Sequence, residues 1–576
     1  MFWMPGLAAA RGYRRAWLRE DLSAGLVLTA LLVPQGMAYA QLAGLPPVTG
    51  LYTTIIALLA YAVFGPSRIL VLGPDSALGP LIAAAILPLV GAGGDPARAV
   101  ALAGLLALIM GVMCICAGLA GLGTLAELLS KPIRVGYLNG IAIVVIASQL
   151  PSFFGFSVDT SSTLGELWAF LQGLASGSTN GAAPAIGLVC LGIILGFRVW
   201  RPRVPGVLAA VVVSTLAVIL LDLAERGLAL VGPVPSGFPV PSLPSIDLAD
   251  AGNLVLAAAG MAFVTLADTS ALSRAFAGRA GEEVDPNQEI VALGVANVSV
   301  ALFQGFPVSA SSSRTAVAKT AGAHSQLVGV VGASAMLILL LIGGGLTTYL
   351  PSACLAAIVI SAGIALFDLP EMQWLWRVRR SEFWLCTSAL LGVVVVGVLE
   401  GIAIAIALSL ANFVRRALRP HDAELGRLAT TKGYHDTSRH PEAALIPGLI
   451  VYRFDAPLFF ANVEHFARRV KSLIASRSEP VRWVVVAAEP VTDIDTTGAE
   501  MLVDLLADLR RIGVELAFAE LKGPVKDRLR RYGIFDDIGE DRVFPTLGTA
   551  VDGYLEATRV DWHDPLDGPR PPSPGD

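Results

Sequence analysis

Charged residues are scarce in this sequence, and they are unevenly spread. Asp, Glu, Lys and Arg make up 15% of the 576 residues, whereas hydrophobic residues make up 55%. Soluble globular domains contain about 25% charged residues, so this composition excludes an ordinary soluble protein. More than half of all the charged residues lie in the C-terminal stretch 413–576, although it is much the shorter part of the chain. We therefore expect a membrane body followed by a soluble domain.

Cysteine is also scarce, and there is no excess of positive charge. The net charge of −5 provides no basic surface for nucleic acid. No nucleotide-binding loop or nucleophile–base set is present, so the sequence predicts no enzyme, no cofactor and no metal site. All five cysteines lie in apolar stretches, which favours small buried hydrophobic residues over disulfides: Cys114, Cys116, Cys190, Cys354 and Cys386.

Long apolar runs, by contrast, are abundant. About 20 apolar residues cross a bilayer core, and shorter runs must be surrounded by protein. The third and tenth of the candidate segments are short, and residues 161–176 are predicted to lie at the membrane surface. The fourteen candidates are 22–43, 48–64, 76–90, 99–122, 133–150, 183–197, 205–221, 252–273, 288–304, 311–321, 326–343, 350–367, 382–399 and 400–414.

The basic residues predict how these helices are oriented. If the N-terminus is cytoplasmic, every group of Lys and Arg falls on the cytoplasmic side of a fourteen-helix count. An even number of helices also places the soluble domain in the cytoplasm. The groups are Arg11/Arg14/Arg15/Arg19, Lys131/Arg134, Arg198/Arg201/Arg203, Arg274/Arg279, Arg377/Arg379/Arg380 and Arg415/Arg416/Arg419.

Related motifs open the two short segments. Residues 74–77 (Pro-Asp-Ser-Ala) match residues 307–310 (Pro-Val-Ser-Ala). Gln35 and Asp268 are separated by the same number of residues as the two motifs. A proline-rich stretch at 232–245 separates the two halves. Because seven helices form an odd number, a second copy of such a unit is inserted upside down. The pattern is typical of transporters built from two inverted repeats with paired broken helices.

Two helix beginnings that meet within the bilayer would form a site for a small anion. The first turn of a helix has unpaired N–H groups and a partial positive charge. Serine hydroxyls would add hydrogen-bond donors, although small residues can also serve only for close helix packing. The serines concerned are Ser76, Ser309, Ser311, Ser312 and Ser313.

Polar side chains in apolar segments indicate the same site. A charge within the bilayer costs about 2.5–3.5 kcal/mol, so Arg314 is either functional or anchored at the interface. Asp268 could pair with Arg314 and bind a proton or cation, or it could cap a helix. Gln35 and Tyr39, four residues apart, share one helix face and could donate to an oxyanion or to another helix. Asp75 is interpreted as a helix cap.

The C-terminal part alternates strands and helices. This alternation predicts a small α/β domain with a partly parallel sheet. The turn at 493–498 (Asp-Ile-Asp-Thr-Thr-Gly) could be phosphorylated, or it could be an ordinary N-cap. The predicted strands are 449–454, 481–489 and 514–520, and the predicted helices are 463–475, 496–513 and 523–533.

These motifs resemble the sulfate permease (SulP) family of anion transporters, whose soluble part is a STAS domain. Residues 34–53, 72–80 and 284–333 carry the resemblance in the membrane body, and 493–498 resembles the STAS signature turn. The resemblance implies two inverted seven-helix repeats arranged as core and gate domains, a homodimer, and an elevator-type movement in a plasma (bacterial inner) membrane. The implied domains are 1–415 for transport, 416–445 as linker, 446–560 as STAS domain and 561–576 as a disordered tail.

The resemblance also implies roles for individual residues. Asp268 occupies the ion-coupling position, where proton-coupled members commonly have Glu, and Thr497 stands at the phosphorylated position of related STAS domains. Substrate binding is implied for Gln35, Tyr39, Ser76, Ala77, Ser311, Ser312, Ser313 and Arg314.

The expected function is secondary active transport of a small anion, with sulfate the leading substrate and H⁺ the leading coupling ion. Sodium-coupled bicarbonate transport, dicarboxylate transport and a passive anion channel remain as alternatives. The shorter side chain at Asp268 leaves the choice between H⁺ and Na⁺ open.

Overall fold

The chain folds into two compact units, Met1–Ser409 and Leu410–Asp576. The computed structural model describes residues 4–91, 94–123, 130–158, 162–201, 205–244, 248–280, 284–342, 345 and 347–568. The boundary between the units lies close to residue 412, where the density of charge changes. A membrane body followed by a separately folded domain is therefore confirmed.

Helices form nearly all the regular structure of the first unit, which also has two short strands, β1 (Leu72–Gly73) and β2 (Ser309–Ala310). Each of the fourteen predicted segments coincides with a helix, and α1, α7 and α15 are additional. The helices are α1 (Pro5–Arg11), α2 (Leu18–Leu42), α3 (Pro47–Phe64), α4 (Gly79–Val90), α5 (Pro96–Leu119), α6 (Lys131–Phe154), α7 (Thr163–Ala175), α8 (Ala182–Trp200), α9 (Gly206–Leu220), α10 (Leu248–Ala280), α11 (Pro286–Leu302), α12 (Ser312–Thr320), α13 (Leu327–Ile342), α14 (Ser352–Leu366), α15 (Leu369–Val378), α16 (Arg380–Leu391) and α17 (Val398–Leu418).

Many of these helices are long enough to cross a bilayer. Among the described residues, seven of these helices have at least 18 residues and the apolar composition of a membrane span, and so does the stretch Ser352–Val378, which contains α14 and α15. Helices α4, α9 and α13 are apolar but shorter. At 1.5 Å per residue, the 12 residues of α4 and the 9 of α12 reach only part of the way across a core about 30 Å thick. The predicted broken spans are therefore confirmed.

The helices of the first unit pack as two bundles. The first bundle contains α2, α3, α4, α5, α10, α11, α12 and α13, and the second contains α6, α8, α9, α14 and α16. These sets follow the division into core and gate domains that the family resemblance implies. Helix α2 also contacts α14 and α9, so it lies where the bundles meet.

Small residues allow the closest helix contacts. A Cβ atom at Gly111 of α5 would lie 2.7 Å from the carbonyl oxygen of Gly294 of α11, and the reverse distance is the same. The two helices can touch only because neither position has a side chain. All five cysteines are unpaired, and four of them are buried, Cys116 being the exposed exception.

Two of the connections between the bundles are joined to each other. The chain passes from α9 to α10 through residues 221–247, and from α13 to α14 through 343–351. Leu230 and Pro351 form an antiparallel bridge. The N–H of Val231 donates to the Leu350 carbonyl at 2.9 Å, and the N–H of Ser352 donates to the Ala229 carbonyl at 3.0 Å.

A six-stranded sheet forms the core of the second unit. Its strand order is β4-β3-β5-β6-β7-β8; β5 to β8 are parallel and β3 is antiparallel to β5. The predicted α/β domain is therefore confirmed. The strands are β3 (Asp422–Arg427), β4 (Tyr434–Asp436), β5 (Leu449–Phe454), β6 (Trp483–Ala487), β7 (Glu515–Ala519) and β8 (Val543–Phe544), and the helices are α18 (Val463–Ala475), α19 (Thr496–Arg511), α20 (Gly523–Arg531), α21 (Phe535–Ile538) and α22 (Leu547–Thr558).

The predicted linker at 416–445 is wrong in part, because it contains β3 and β4. Ala423 and Leu425 are buried in the sheet core. Between them, Glu424 forms an ion pair with Arg477, and Asp422 accepts a hydrogen bond from Arg469 at 2.5 Å. The low apolar content that predicts a linker here is compatible with folded strands, because these charged residues are paired within the fold.

The predicted disordered tail at 561–576 is also wrong in part. Asp564 accepts hydrogen bonds from Nε of Arg427, the shorter at 2.9 Å. Burial opposes ionisation of Asp564, but the hydrogen bonds from Arg427 and from the N–H of Leu566 outweigh it and lower its pKa. The remainder of the tail, residues 569–576, lies outside the described part of the chain.

Candidate functional site

Two short strands bring the beginnings of α4 and α12 together. Strand β1 (Leu72–Gly73) pairs antiparallel with strand β2 (Ser309–Ala310). The N–H of Ser311 extends the pairing by donating to the Val71 carbonyl at 3.1 Å. Because each strand leads directly to one of the short helices, the two helix beginnings are neighbours, as the sequence predicts. We call residues 71–78 and 309–314 the seam.

Arg314 is the charged residue at the centre of the seam. It lies in the first turn of α12, and only 1% of it is exposed. Its Nη2 donates to the Gly73 carbonyl at 3.2 Å. Within the described residues, Nε and Nη1 have no hydrogen-bond partner. A buried guanidinium with two free donor nitrogens is suited to an anionic ligand.

Gly73 allows Arg314 to reach this position. A Cβ atom at residue 73 would lie 3.0 Å from Nη1 of Arg314. That distance is tighter than an ordinary van der Waals contact, so a larger residue would push against the guanidinium. The glycine of the Leu-Gly-Pro-Asp-Ser sequence therefore serves close approach of a side chain to the backbone.

Asp75 balances the charge of Arg314. Its carboxylate lies near the backbone N–H groups of Ser76 and Ala77, and it interacts electrostatically with Arg314. Helix α4 begins only at Gly79, its N-cap is Leu78, and no side chain caps its first turn, so the interpretation of Asp75 as the cap of α4 is wrong. With Asp75 ionised, the seam has little net charge, and attraction for an anion comes from helix ends and hydrogen-bond donors.

Helix α2 contributes two polar side chains on one face. Gln35 and Tyr39 are both buried. Tyr39 interacts with the side chain of Ser76 and electrostatically with Asp75 and Arg314, so it borders the seam. The Oε1 atom of Gln35 has no hydrogen-bond partner in the described part of the chain. Gln35 lies one helical turn before Tyr39 on the same face of α2.

The serines of the seam differ in their surroundings. Ser76, next to Ala77, is buried, and Ser311 is buried at the N-cap of α12. The hydroxyl of Ser311 accepts from the N–H of Arg314 at 3.5 Å and lies 3.2 Å from that of Ser313. Ser312 and Ser313 are exposed. Ser311 therefore shapes the helix beginning as well as offering a hydroxyl to a ligand.

The structure does not pair Asp268 with Arg314, so that expectation is wrong. Asp268 of α10 interacts instead with Arg134 of α6, and Asp75 is its other charged neighbour. Tyr137, also on α6, faces the same two carboxylates. Arg314 is held by the Gly73 carbonyl and interacts electrostatically with Asp75 on the seam, whereas Arg134 of the second bundle interacts electrostatically with Asp268. The coupling candidate thus lies between the bundles.

Sequence reasoning missed several polar residues near this region. Thr265, Thr269 and Ser270 are buried on α10, and their hydroxyls have no partner among the described residues. The sequence does show three hydroxyl residues within two turns of an apolar helix, which could have indicated a functional position. Such residues often serve transport or helix contact. They place further donors on the helix that carries Asp268.

Sequence reasoning also missed a buried carboxylate at the junction of α3, α10 and α11. Glu289 is completely buried. Its Oε1 accepts from the Tyr61 hydroxyl at 2.5 Å, and its Oε2 accepts from the Ser273 hydroxyl at 2.7 Å. Tyr61 in turn interacts with Ser67, shortly before β1. An acidic residue within the apolar segment 288–304 was the available signal.

In the second unit, the turn at 493–498 behaves as a helix cap. Asp495 accepts from the N–H of Gly498 at 2.7 Å and from that of Phe460 at 2.9 Å. Asp493 forms an ion pair with Arg528. Thr497 is exposed in the first turn of α19. This geometry agrees with the N-cap interpretation, and a regulatory role of Thr497 stays a prediction.

Comparison with protein families gives two matches. The sulfate permease family matches residues 18–389, and the STAS domain family matches residues 440–550. A protein of Mycobacterium tuberculosis described as a probable sulfate transporter is 41% identical over 552 residues, covering 96% of this chain and 98% of that protein.

Two solved structures show a similar fold. The murine solute carrier 26 family member A9 anion transporter, in an inward-facing state, has a TM-score of 0.88 and 24% identity, covering 96% of this chain and 94% of its own. The transmembrane domain of the cyanobacterial bicarbonate transporter BicA has a TM-score of 0.60 and 23% identity, covering 68% and 98%. At these identities the likeness concerns the fold alone.

Proposed function

Because the chain belongs to the sulfate permease family, we propose that it is a secondary active transporter of a small anion, with sulfate as substrate and H⁺ as coupling ion. The family and the two-bundle fold support anion transport. The observation that carries the proposal is the seam, where a buried arginine keeps two free donor nitrogens between two helix beginnings. The relative described as a probable sulfate transporter supports sulfate as the substrate.

Sulfate would be held mainly by neutral donors. Backbone N–H groups at the beginnings of α4 and α12 would contact its oxygens, together with Nε and Nη1 of Arg314. Tyr39 and Ser76 would border the ligand, and Gln35 would approach it from the same face of α2. The beginning of α12 would contribute to sulfate binding through Ser311, Ser312 and Ser313. Ala77 would contribute through its small side chain.

Asp268 would couple proton movement to anion movement. It lies between the bundles, with Arg134 from the second bundle as its cationic neighbour. Protonation would remove its attraction to Arg134, which would ease movement of the first bundle relative to the second. This provides a physical link between proton binding and an elevator-type alternation of access. The same proposal places the N-terminus and the STAS domain in the cytoplasm, and the chain in a homodimer within a plasma (bacterial inner) membrane.

Uptake into liposomes tests substrate and coupling ion together. The purified protein is supplied with labelled sulfate under an inward proton gradient, an inward sodium gradient or no gradient, with bicarbonate and a dicarboxylate as competitors. We expect accumulation driven by the proton gradient and stronger competition from unlabelled sulfate than from either other anion. Accumulation driven only by sodium, with bicarbonate the best competitor, would contradict the proposal.

A matched pair of variants on α10 tests the role of Asp268. Asp268→Asn should abolish proton-driven accumulation while leaving exchange of sulfate for sulfate. Asp250→Asn is the control, because Asp250 lies at the beginning of the same helix, where it pairs with Arg98 at 3.5 Å. If Asp268→Asn conducts sulfate passively as well as the wild type does, a passive channel becomes the better description.

A further inference from the structure

Helix α15 is a short helix fastened to the second bundle. Its buried Leu375 packs with Val135 of α6 and Cys386 of α16. Just before α15, the N–H of Asp368 donates to Oδ1 of Asn139 at 2.7 Å. These contacts fix the helix at the corner between α14 and α16.

The opposite side of this corner exposes large apolar side chains. Trp374, Trp376 and Trp384 are 50%, 44% and 59% exposed, and Val378 is 61% exposed. Trp376 and Trp384 also contact each other edge to face, with ring centroids 6.4 Å apart. Tryptophan is enriched where a membrane meets water, because its ring is apolar and its N–H is polar. A bilayer boundary is therefore the environment that this face fits.

Arginines surround the tryptophans. Arg377, Arg379 and Arg380 lie close together in the chain, and all three are exposed. The guanidinium of Arg380 lies 5.2 Å from the centroid of the Trp376 ring. Arg379 pairs with Glu382 at 3.2 Å. Within the described residues, Arg377 and Arg380 form no ion pair, so two positive charges are available to a ligand.

The acidic side chain of α15 does not neutralise these two arginines. Glu371 pairs with Lys131 of α6 at 2.6 Å. The ammonium of Lys131 also lies 5.1 Å from the centroid of the Trp374 ring. The corner is therefore positively charged beside an apolar aromatic surface, which complements a phosphate headgroup attached to acyl chains.

We propose that an anionic phospholipid binds at this corner, with its phosphate between Arg377 and Arg380 and its acyl chains against Trp374, Trp376 and Trp384. The site is separate from the seam (residues 71–78 and 309–314) and from α2, which borders the seam. Its elements pack on α6 and α16, so a bound lipid would anchor the second bundle to the membrane surface. The inference does not depend on the substrate or on coupling.

Native mass spectrometry of the purified full-length protein tests this site. It measures the binding of phosphatidylglycerol and of phosphatidylcholine. We expect tighter binding of phosphatidylglycerol. Arg377→Gln/Arg380→Gln should weaken that binding about 30-fold, since each arginine near an anionic surface contributes about fivefold. Arg377→Lys/Arg380→Lys, which keeps the charge, should retain most of it.

The control removes the same charge from the second unit, where Arg468 and Arg531 are exposed. Arg468→Gln/Arg531→Gln should bind phosphatidylglycerol as the wild type does, and equal thermal unfolding midpoints should show that all variants are folded. Equal affinity of the wild type for the two lipids would overturn the proposal. So would phosphatidylglycerol affinity within twofold of wild type in Arg377→Gln/Arg380→Gln.

Discussion

Among single residues, Arg314 combines the features that anion recognition requires. It is buried, its charge is balanced by Asp75, and one of its nitrogens is fixed by the Gly73 carbonyl. Fixing one nitrogen orients the whole planar guanidinium, which leaves the free nitrogens in a defined direction. The seam therefore provides an oriented donor pair, which a flexible lysine could not replace.

Replacing Arg314 should weaken substrate binding specifically. A hydrogen bond from a charged group contributes about 1.5–3 kcal/mol, so Arg314→Gln should raise the apparent KM for sulfate by tenfold or more. Lys319→Gln is the matched control, since Lys319 lies on the same helix but is exposed. Isotope uptake into liposomes measures both. Equal effects of the two changes would mean that charge on α12, rather than the seam, governs affinity.

Glu289 should tolerate an amide but not an apolar side chain. Gln can accept from Tyr61 and donate to the Ser273 hydroxyl, so Glu289→Gln should change the free energy of unfolding by less than about 1 kcal/mol. Glu289→Leu removes the acceptor of two buried hydroxyl groups, at about 1–3 kcal/mol each. Thermal unfolding in detergent measures the difference. If both variants were equally destabilised, the negative charge itself would be what the junction requires.

The sequence could indicate which residue types matter at the site, but not which of them would meet. Gln35, Tyr39, Ser76 and Arg314 stand out because polar groups are rare in apolar segments. The neighbour of Asp268 could not be predicted, because Arg134 lies far earlier in the chain, on a helix of the other bundle. The contact depends on how the bundles pack, and hydrophobic periodicity carries no information about that.

At the scale of helices and strands, apolar run length was a sufficient guide to the membrane spans. The short spans at α4 and α12 were also visible, because each follows a Pro-x-Ser-Ala motif. Helix α15 could not be found in this way, since tryptophans and arginines interrupt its apolar residues. Strand β3 was missed because its charges are paired only in the folded domain. The length of apolar runs thus fails to predict amphipathic elements whose contacting residues lie far away in the sequence.

The contact of α5 with α11 should be sensitive to a single methyl group. Gly294→Ala would place a Cβ atom 2.7 Å from the Gly111 carbonyl oxygen, which forces the helices apart. Overpacking of this kind costs about 1–3 kcal/mol. Gly192→Ala on α8 is the control, because a Cβ atom there would meet nothing within 4 Å. Thermal unfolding in detergent should separate the variants, and equal midpoints would contradict this account of the packing.

For the whole molecule, the division into two units predicts which part is needed for transport. The seam and both bundles lie in the first unit, so a chain ending at Arg419 should retain uptake within about tenfold of the full-length protein. Uptake should be normalised to inserted protein, and size-exclusion chromatography should show that the shortened chain is folded. Complete loss of uptake in a folded, inserted protein would mean that the second unit takes part in the transport cycle.

The inverted arrangement of the two halves explains why the seam exists. Helices α4 and α12 begin at Gly79 and Ser312, and the two Pro-x-Ser-Ala motifs precede them by the same distance along the chain. An inverted repeat turns one copy over, so the two broken helices approach from opposite sides and their beginnings meet. The repeat therefore places the unpaired N–H groups of two helix beginnings side by side within the bilayer.

The bridge between Leu230 and Pro351 restricts how the bundles can separate. Two backbone hydrogen bonds, from Val231 to Leu350 and from Ser352 to Ala229, hold the two connections together at this point. Any change that drew the connections apart here would have to break these bonds or move both connections together. Resistance to such a change comes from the backbone, so it does not depend on which side chains these residues have.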